Sequence, residues 1–240
     1  MLKQHYNKFL AWLDRNRFQL LILSTILLLV LPAFAGNEPL YNLIFVLTLS
    51  FLFIQSMVVA NFKKSRKRII RFIVLGMILI MWLKPLGIES AYLDYLKLAF
   101  IIFFFTIIIS HLTRFISGST SVNLNVLITS INIYLLAGIV GASLTMTCFK
   151  IFPDAYNFPD YIANPQFSHF LYYSFITMST VGYGDITPRI PETQTLAYLI
   201  SIAGQLYVAI IIAFLIGKFL MQGDNKKKEG SRDNDEKLSI

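Results

Sequence analysis

Six apolar runs follow one another along this chain with little between them: 18–35, 40–60, 69–83, 92–116, 122–149 and 196–220. A bilayer core is crossed by about 20 apolar residues in helical form. In lipid every backbone N–H and C=O must find its partner inside the protein, so runs of this kind become helices. Of the 240 residues, 56% are apolar and 14% charged, against about 25% charged in ordinary soluble domains. A soluble chain of this size has no interior large enough for so much apolar surface. The longest polar stretch, 221–240, holds only 20 residues, which excludes a span attached to a sizeable soluble domain. The expected fold class is therefore an all-α membrane protein with six transmembrane helices. The third run is short at 15 residues. The fourth has polar shoulders at Asp94 and Lys97 and carries His111 and Arg114 at its far end. A seventh run, 167–178, is 12 residues long and suits a re-entrant helix.

Positive charge orients the spans, because cytoplasmic loops carry an excess of Lys and Arg. Lys3, Lys8, Arg15 and Arg17 precede the first run, and Lys63, Lys64, Arg66, Lys67, Arg68 and Arg71 lie between the second and third. Arg114 ends the fourth, and Lys218, Lys226, Lys227, Lys228, Arg232 and Lys237 follow the sixth. The opposite side keeps only Lys84, Lys97, Lys150 and Arg189. Both termini are thus expected in the cytoplasm. The outer side carries Glu38, Glu89, Asp94, Asp154, Asp160, Asp185 and Glu192, and an acidic mouth of this kind concentrates cations. The net charge of +8 flanks apolar spans, which excludes a nucleic-acid partner. One cysteine, Cys148, forms no intrachain disulfide. Ala33-Phe34-Ala35 before Gly36 has the form of a signal-peptide cleavage site. The 17-residue leader with Trp12 and Asp14 is long for that role, so a retained first span is expected. The tail 222–240 is polar and mixed in charge and is expected to be disordered.

Between the fifth and sixth runs stands Thr177-Met178-Ser179-Thr180-Val181-Gly182-Tyr183-Gly184-Asp185. T-V-G-Y-G is the potassium selectivity-filter sequence. With an apolar run before it, a short amphipathic helix leading into it and an apolar run after it, residues 122–220 resemble the pore of the potassium channel family. A dehydrating potassium ion needs oxygen ligands in place of water. The resemblance implies that the carbonyls of Thr180, Val181, Gly182 and Tyr183, with the Thr180 hydroxyl innermost, supply them, and that Val181 and Tyr183 point away from the ions. Gly182 and Gly184 accept backbone angles closed to other residues. One chain supplies one filter strand, so the expected assembly is a homotetramer with a tetrameric channel fold: six helices plus a re-entrant pore helix and filter.

The short helix has a plausible start at Asn164-Pro165, with Asn as cap and Pro in the first turn. Tyr172 and Tyr173 stand where the family often has paired aromatics that brace the filter, and Asp185 is expected to accept a hydrogen bond from one of them, Tyr172 first; interface packing alone is the alternative. Ile176 replaces the buried carboxylate of certain bacterial pores, so inactivation that depends on that group is expected to be absent. Thr187 replaces an aromatic ring that gives tight external block by tetraethylammonium, so external block is expected to be weak. Gly204, nineteen residues after Asp185, matches the position of the gating-hinge glycine of related pores. Gly in a helix costs about 1 kcal/mol relative to Ala, and marks either a bend or close packing; both remain open. Gly217 is a second flexible point.

Six spans with a pore between the last two is the plan of voltage-gated channels. Their sensor needs Arg or Lys at every third position of the fourth span. From Lys97 the stations read Phe100, Phe103, Thr106, Ile109 and Leu112, none basic. Steep gating needs roughly 3–4 charges per subunit, and one shallow lysine does not supply them. The expected organisation is a cytoplasmic N-terminus over 1–17, a sensor-like four-helix bundle without gating charges over 18–116, a pore domain over 117–221 and the tail 222–240. The basic stretch 63–71 either orients the chain or also binds anionic lipid, at about 1 kcal/mol per juxtamembrane Lys or Arg. His5, His111 and His169 have no metal-ligand spacing, and no catalytic constellation is present, so no enzyme activity and no cofactor beyond permeating potassium is expected. The function expected is passive, potassium-selective conduction, voltage independent or weakly dependent, in a plasma membrane that the Ile-, Lys- and Asn-rich composition assigns to a bacterium. The alternatives are a voltage-gated potassium channel, a nonconducting regulatory subunit and a potassium transporter subunit.

Overall fold

The computed structural model describes residues 12–13, 15–60, 64–83, 86–88, 90–119 and 121–238, without the side chains of 64–67, 69 and 221–238. Lys3, His5, Lys8, Asp14, Lys63, Lys84 and Glu89, named above, lie outside the described residues. The helices are α1 (Arg17–Val30, continued by a 3₁₀ turn Leu31–Phe34), α2 (Glu38–Ala60), α3 (Lys64–Trp82), α4 (Ala91–Gly118), α5 (Leu124–Ile151), α6 (Phe167–Met178) and α7 (Pro191–Leu238). Two short strands, β1 (Tyr156–Asn157) and β2 (Thr187–Pro188), pair antiparallel with Tyr156 opposite Pro188.

Five helical stretches are long and apolar enough to cross a bilayer: Arg17–Phe34, α2, α4, α5 and Pro191–Leu220 of α7. These make the chain a membrane protein. The third run differs. Helix α3 begins in the basic stretch, and its apolar part, Ile70–Trp82, is shorter than a span. At 1.5 Å per residue such a segment covers roughly 20 Å of a core about 30 Å thick.

Lipid tails are as apolar as leucine, so helices in a bilayer associate by close packing and interhelical hydrogen bonds. The bundle does this around Phe53, whose ring lies 5.4, 4.9 and 5.1 Å from those of Phe100, Phe104 and Phe105. Leu21, Leu28, Phe53, Phe105 and Ile108 are wholly buried. Helix α1 packs on α2 and α5, and the Asn132 amide of α5 donates to the Phe18 carbonyl at 3.1 Å. The segment with the cleavage-like end is thus one wall of the bundle.

Helix α4 packs most extensively on α5. At one end Lys150 Nζ lies 2.9 Å from Asp94, and the Tyr95 hydroxyl donates to the Lys150 carbonyl at 2.9 Å. At the other end Gly118 closes α4, and Asn123 caps α5 by accepting the Val126 N–H at 3.1 Å. Lys218 of α7 reaches this junction. Its ammonium donates to the carbonyls of Ile116 at 3.1 Å, Ser117 at 3.4 Å and Ser119, and sits 4.5 Å from the Phe214 ring centroid. The last carbonyls of a helix lack intrahelical donors and carry partial negative charge, so a cation completes them. Replacing Lys218 with Met is expected to cost about 1–2 kcal/mol and to lower the thermal midpoint in detergent by about 2–8 °C, with Lys218→Arg avoiding most of that loss; equal midpoints for wild type and Lys218→Met would contradict this clasp.

The backbone of α7 runs helical to Leu238, past the membrane-length part that ends at Leu220. Extending a helix that already exists adds one hydrogen bond for each residue fixed, and the Lys, Glu and Arg of the tail are good helix formers.

Candidate functional site

The site is built on α6, a helix of only 12 residues wedged between α5 and α7. It starts two residues later than Asn164-Pro165 implied. Gln166 is the cap: its side chain accepts the His169 N–H, while His169 Nδ1 accepts the Gln166 N–H at 2.9 Å. This reciprocal box satisfies two of the N-terminal amides that a helix leaves unpaired. A third, the Ser168 N–H, donates to the Tyr41 hydroxyl of α2 at 3.1 Å. The Phe45 and Phe167 rings meet beside it, 5.2 Å apart. The bundle therefore holds the start of α6 directly.

Glycines seat the rest of the helix. Ser174 Oγ donates to the Gly138 carbonyl of α5 at 2.8 Å. A Cβ at Gly138 would fall 2.4 Å from the Phe175 ring, and one at Gly141 2.4 Å from Ser174 Oγ. On the other side, a Cβ at Gly204 of α7 would fall 2.2 Å from the Met178 carbonyl oxygen. Close packing was one of two roles open to Gly204, and this contact requires glycine whether or not the helix also bends there.

The chain leaves α6 in a tight series of turns. The Ser179 N–H donates to Phe175 O, the Thr180 N–H to Thr177 O, and the Val181 and Gly182 N–H groups both to Ile176 O, at 2.9 to 3.2 Å. The amides of the T-V-G-Y-G segment are thus turned back onto the end of α6. Backbone φ is +61° at Thr180, +51° at Gly182 and +80° at Gly184, whereas Val181 and Tyr183 are not positive. A regular strand sends successive carbonyls to opposite sides, and reversing the hand at every second residue cancels that alternation. Glycine adopts these angles freely. A β-branched threonine does not, and costs roughly 1–3 kcal/mol there. Hydrogen bonds hold Thr180 in place: its hydroxyl donates to Ser179 O at 2.7 Å and accepts from Gln205 Nε2 at 3.3 Å.

Gln205 escaped the sequence reading. The available signal was a carboxamide in the middle of an otherwise apolar run, since polar groups inside membrane segments tend to serve function.

Around the segment, the Tyr172 hydroxyl donates to Asp185 Oδ2 at 2.7 Å. This bond raises the phenol above its ordinary value, and a phenol is a donor at neutral pH in any case. Tyr172→Phe deletes that donor alone. We expect about 1 kcal/mol less support for the outer end of the segment, visible as ion flux that decays several-fold faster; unaltered decay would mean that Tyr172 acts by packing. Tyr173 is buried, edge-on to Tyr156 at 5.4 Å, and burial raises the Tyr156 phenol. The Ala155 carbonyl accepts from the Arg189 N–H at 2.8 Å and from Thr193 Oγ at 3.0 Å, and Asn157 Nδ2 donates to Thr187 at 3.2 Å. These bonds and the β1–β2 pair tie the loop before α6 to the loop after the segment. Thr187 is half-buried in that tie. Val181 and Tyr183 are 53% and 73% exposed in the single chain.

No curated protein and no solved structure matches the chain. Residues 129–222 match the family model described as an ion channel. The match begins in α5 and takes in α6, the T-V-G-Y-G segment and the membrane-length part of α7, so an ion channel is the function that these elements support.

Proposed function

We propose that four copies of this chain form a potassium-selective channel that conducts passively and without steep voltage dependence. The carrying observation is the alternating hand of the backbone at Thr180, Gly182 and Gly184, with the intervening amides tied to Ile176. That arrangement leaves the carbonyls of Thr180, Val181, Gly182 and Tyr183 to replace the water around a potassium ion. Four strands around one axis complete the ligand shell. Four α6 C-termini, each with about −0.5 charge, then favour a cation at mid-membrane, and four Gln205 carboxamides stand beneath the Thr180 ring.

Assembly accounts for surfaces that a single chain leaves bare. Tyr183, Ile210 and Phe219 are 73%, 64% and 69% exposed, and neighbouring subunits cover them in a tetramer. Helices α1 to α5 and the α7 segment up to Leu220 supply six spans, the apolar part of α3 being the shortest, and both termini lie on the cytoplasmic side of a bacterial plasma membrane. Voltage independence is favoured by α4. Its stations Phe103 and Thr106 are exposed, and Lys97 is held at one end by Asp94 at 3.4 Å. Gly204 serves as a packing point and, on the resemblance, as a gating hinge. Anionic lipid at 63–71 is a further expected partner.

Planar-bilayer recording tests the reading. Under opposed potassium and sodium gradients the current should reverse at the potassium equilibrium potential, and open probability should stay flat across the voltage range. Reversal near zero, or steep activation by voltage, would contradict it.

A further inference from the structure

Away from the T-V-G-Y-G segment, a cavity of about 220 Å³ opens between the bundle and the start of α6. Its deeper wall is apolar, formed by Val46, Leu49, Leu98, Ile101 and Met146. An apolar cavity near 150 Å³ already takes a guest the size of benzene, so this one has room for a length of hydrocarbon chain. The rim is charged on two walls. On one, Asp94 lies 3.4 Å from Lys97 and 2.9 Å from Lys150, so one carboxylate serves two ammonium groups and a unit of positive charge is left over. On the other, Glu38 stands in the first turn of α2. Among the described lining residues the rim carries two carboxylates and two ammonium groups, divided in sign between its walls. A simple anion or a simple cation complements only one wall, whereas a headgroup with both a phosphate and an ammonium complements both.

We propose that this cavity binds one zwitterionic phospholipid per chain. The phosphate sits at Lys97 and Lys150, the ammonium at Glu38, and the first part of an acyl chain in the apolar depth. Gln166 and Phe167 of the α6 cap line the same space, as does Tyr41, whose hydroxyl receives the Ser168 N–H. A bound lipid therefore braces the start of α6 against the bundle. This inference rests on the membrane placement of the helices and not on conduction.

The test uses the full chain in detergent, with dioctanoyl phosphatidylethanolamine as probe and dioctanoyl phosphatidylglycerol and dioctanoylglycerol as comparisons. Native mass spectrometry and thermal unfolding are the readouts. The expected result is one phosphatidylethanolamine retained per chain and a saturable rise in thermal midpoint that the comparison lipids do not match. Glu38→Gln, a change at an exposed helix start, and Lys150→Gln should each weaken binding about tenfold. Val46→Trp, which fills the cavity, should abolish it; if that variant fails to fold, the Glu38→Gln titration decides alone. Equal binding of all three lipids, unchanged affinity in Glu38→Gln, or no retained lipid would overturn the proposal. None of these readouts is an ion flux, so their failure leaves the channel reading standing, and a chain that does not conduct leaves the lipid site standing.

Discussion

Gly182→Ala is expected to abolish potassium uptake by liposomes holding the protein while the chain still folds. The residue sits at φ +51°, and a Cβ built there meets nothing within 4 Å in the chain. The added methyl therefore acts through the backbone and not through a clash within the subunit. An L-residue in the left-handed region costs roughly 1–2 kcal/mol. The strand relaxes that cost by returning φ to negative values, which turns the adjoining carbonyl out of line. Four strands share one axis in the proposed assembly, so the combined penalty is roughly 4–8 kcal/mol, several orders of magnitude in the population of the conducting form. Flux should fall by at least about a hundredfold, with the thermal midpoint nearly unchanged. Wild-type flux from this variant would mean that the left-handed angle at Gly182 is not needed for conduction.

Gly204→Ala is expected to fail in a different way, losing flux and thermal stability together. In an ordinary helix this change stabilises by roughly 0.5–1 kcal/mol. Here the new Cβ would lie 2.2 Å from the Met178 carbonyl oxygen and 2.9 Å from its carbon, and backbone does not swing aside as a side-chain tip does. Overpacking of this kind typically costs about 1–3 kcal/mol, which exceeds the propensity gain. The displaced end of α6 is also the end whose Ile176 carbonyl receives the Val181 and Gly182 amides, so the T-V-G-Y-G segment moves with it. Gly217→Ala is the matched control: nothing lies within 4 Å of its Cβ, and the change should be neutral or stabilising. If Gly204 acted only as a hinge, Gly204→Ala would raise the midpoint and alter gating alone.

The parts of this fold that were legible in the sequence are those where one physical requirement dominates. A run of apolar residues longer than a bilayer is thick has few places to go, so five of the six expected spans are helices of spanning length. The short third run was visible as short, and the apolar part of α3, Ile70–Trp82, is shorter than a span. Tyr172 and Asp185 were named as a pair because the resemblance places an aromatic donor opposite the acid that follows the filter, and the two are hydrogen-bonded.

What stayed hidden depends on contacts between elements. Gly138 and Gly141 drew no notice because glycine is common in membrane helices; only the arrival of Ser174 and Phe175 against them gives them a role. Gln166 and His169 cap α6 by the geometry of a capping box without its usual Ser or Thr and Glu, so Asn164-Pro165 looked the better start. Lys218 read as one more cytoplasmic positive charge, and its partners lie about a hundred residues away in sequence at Ile116, Ser117 and Ser119.

The most direct measurement is potassium flux into liposomes containing the purified chain, with sodium as the comparison ion and barium as the blocker. Potassium uptake that excludes sodium and stops with barium is the predicted result. Equal uptake of sodium and potassium, or a protein that passes neither ion in any lipid composition while its Gly182→Ala variant behaves identically, would contradict the assignment of Thr180 to Gly184 as a potassium selectivity filter.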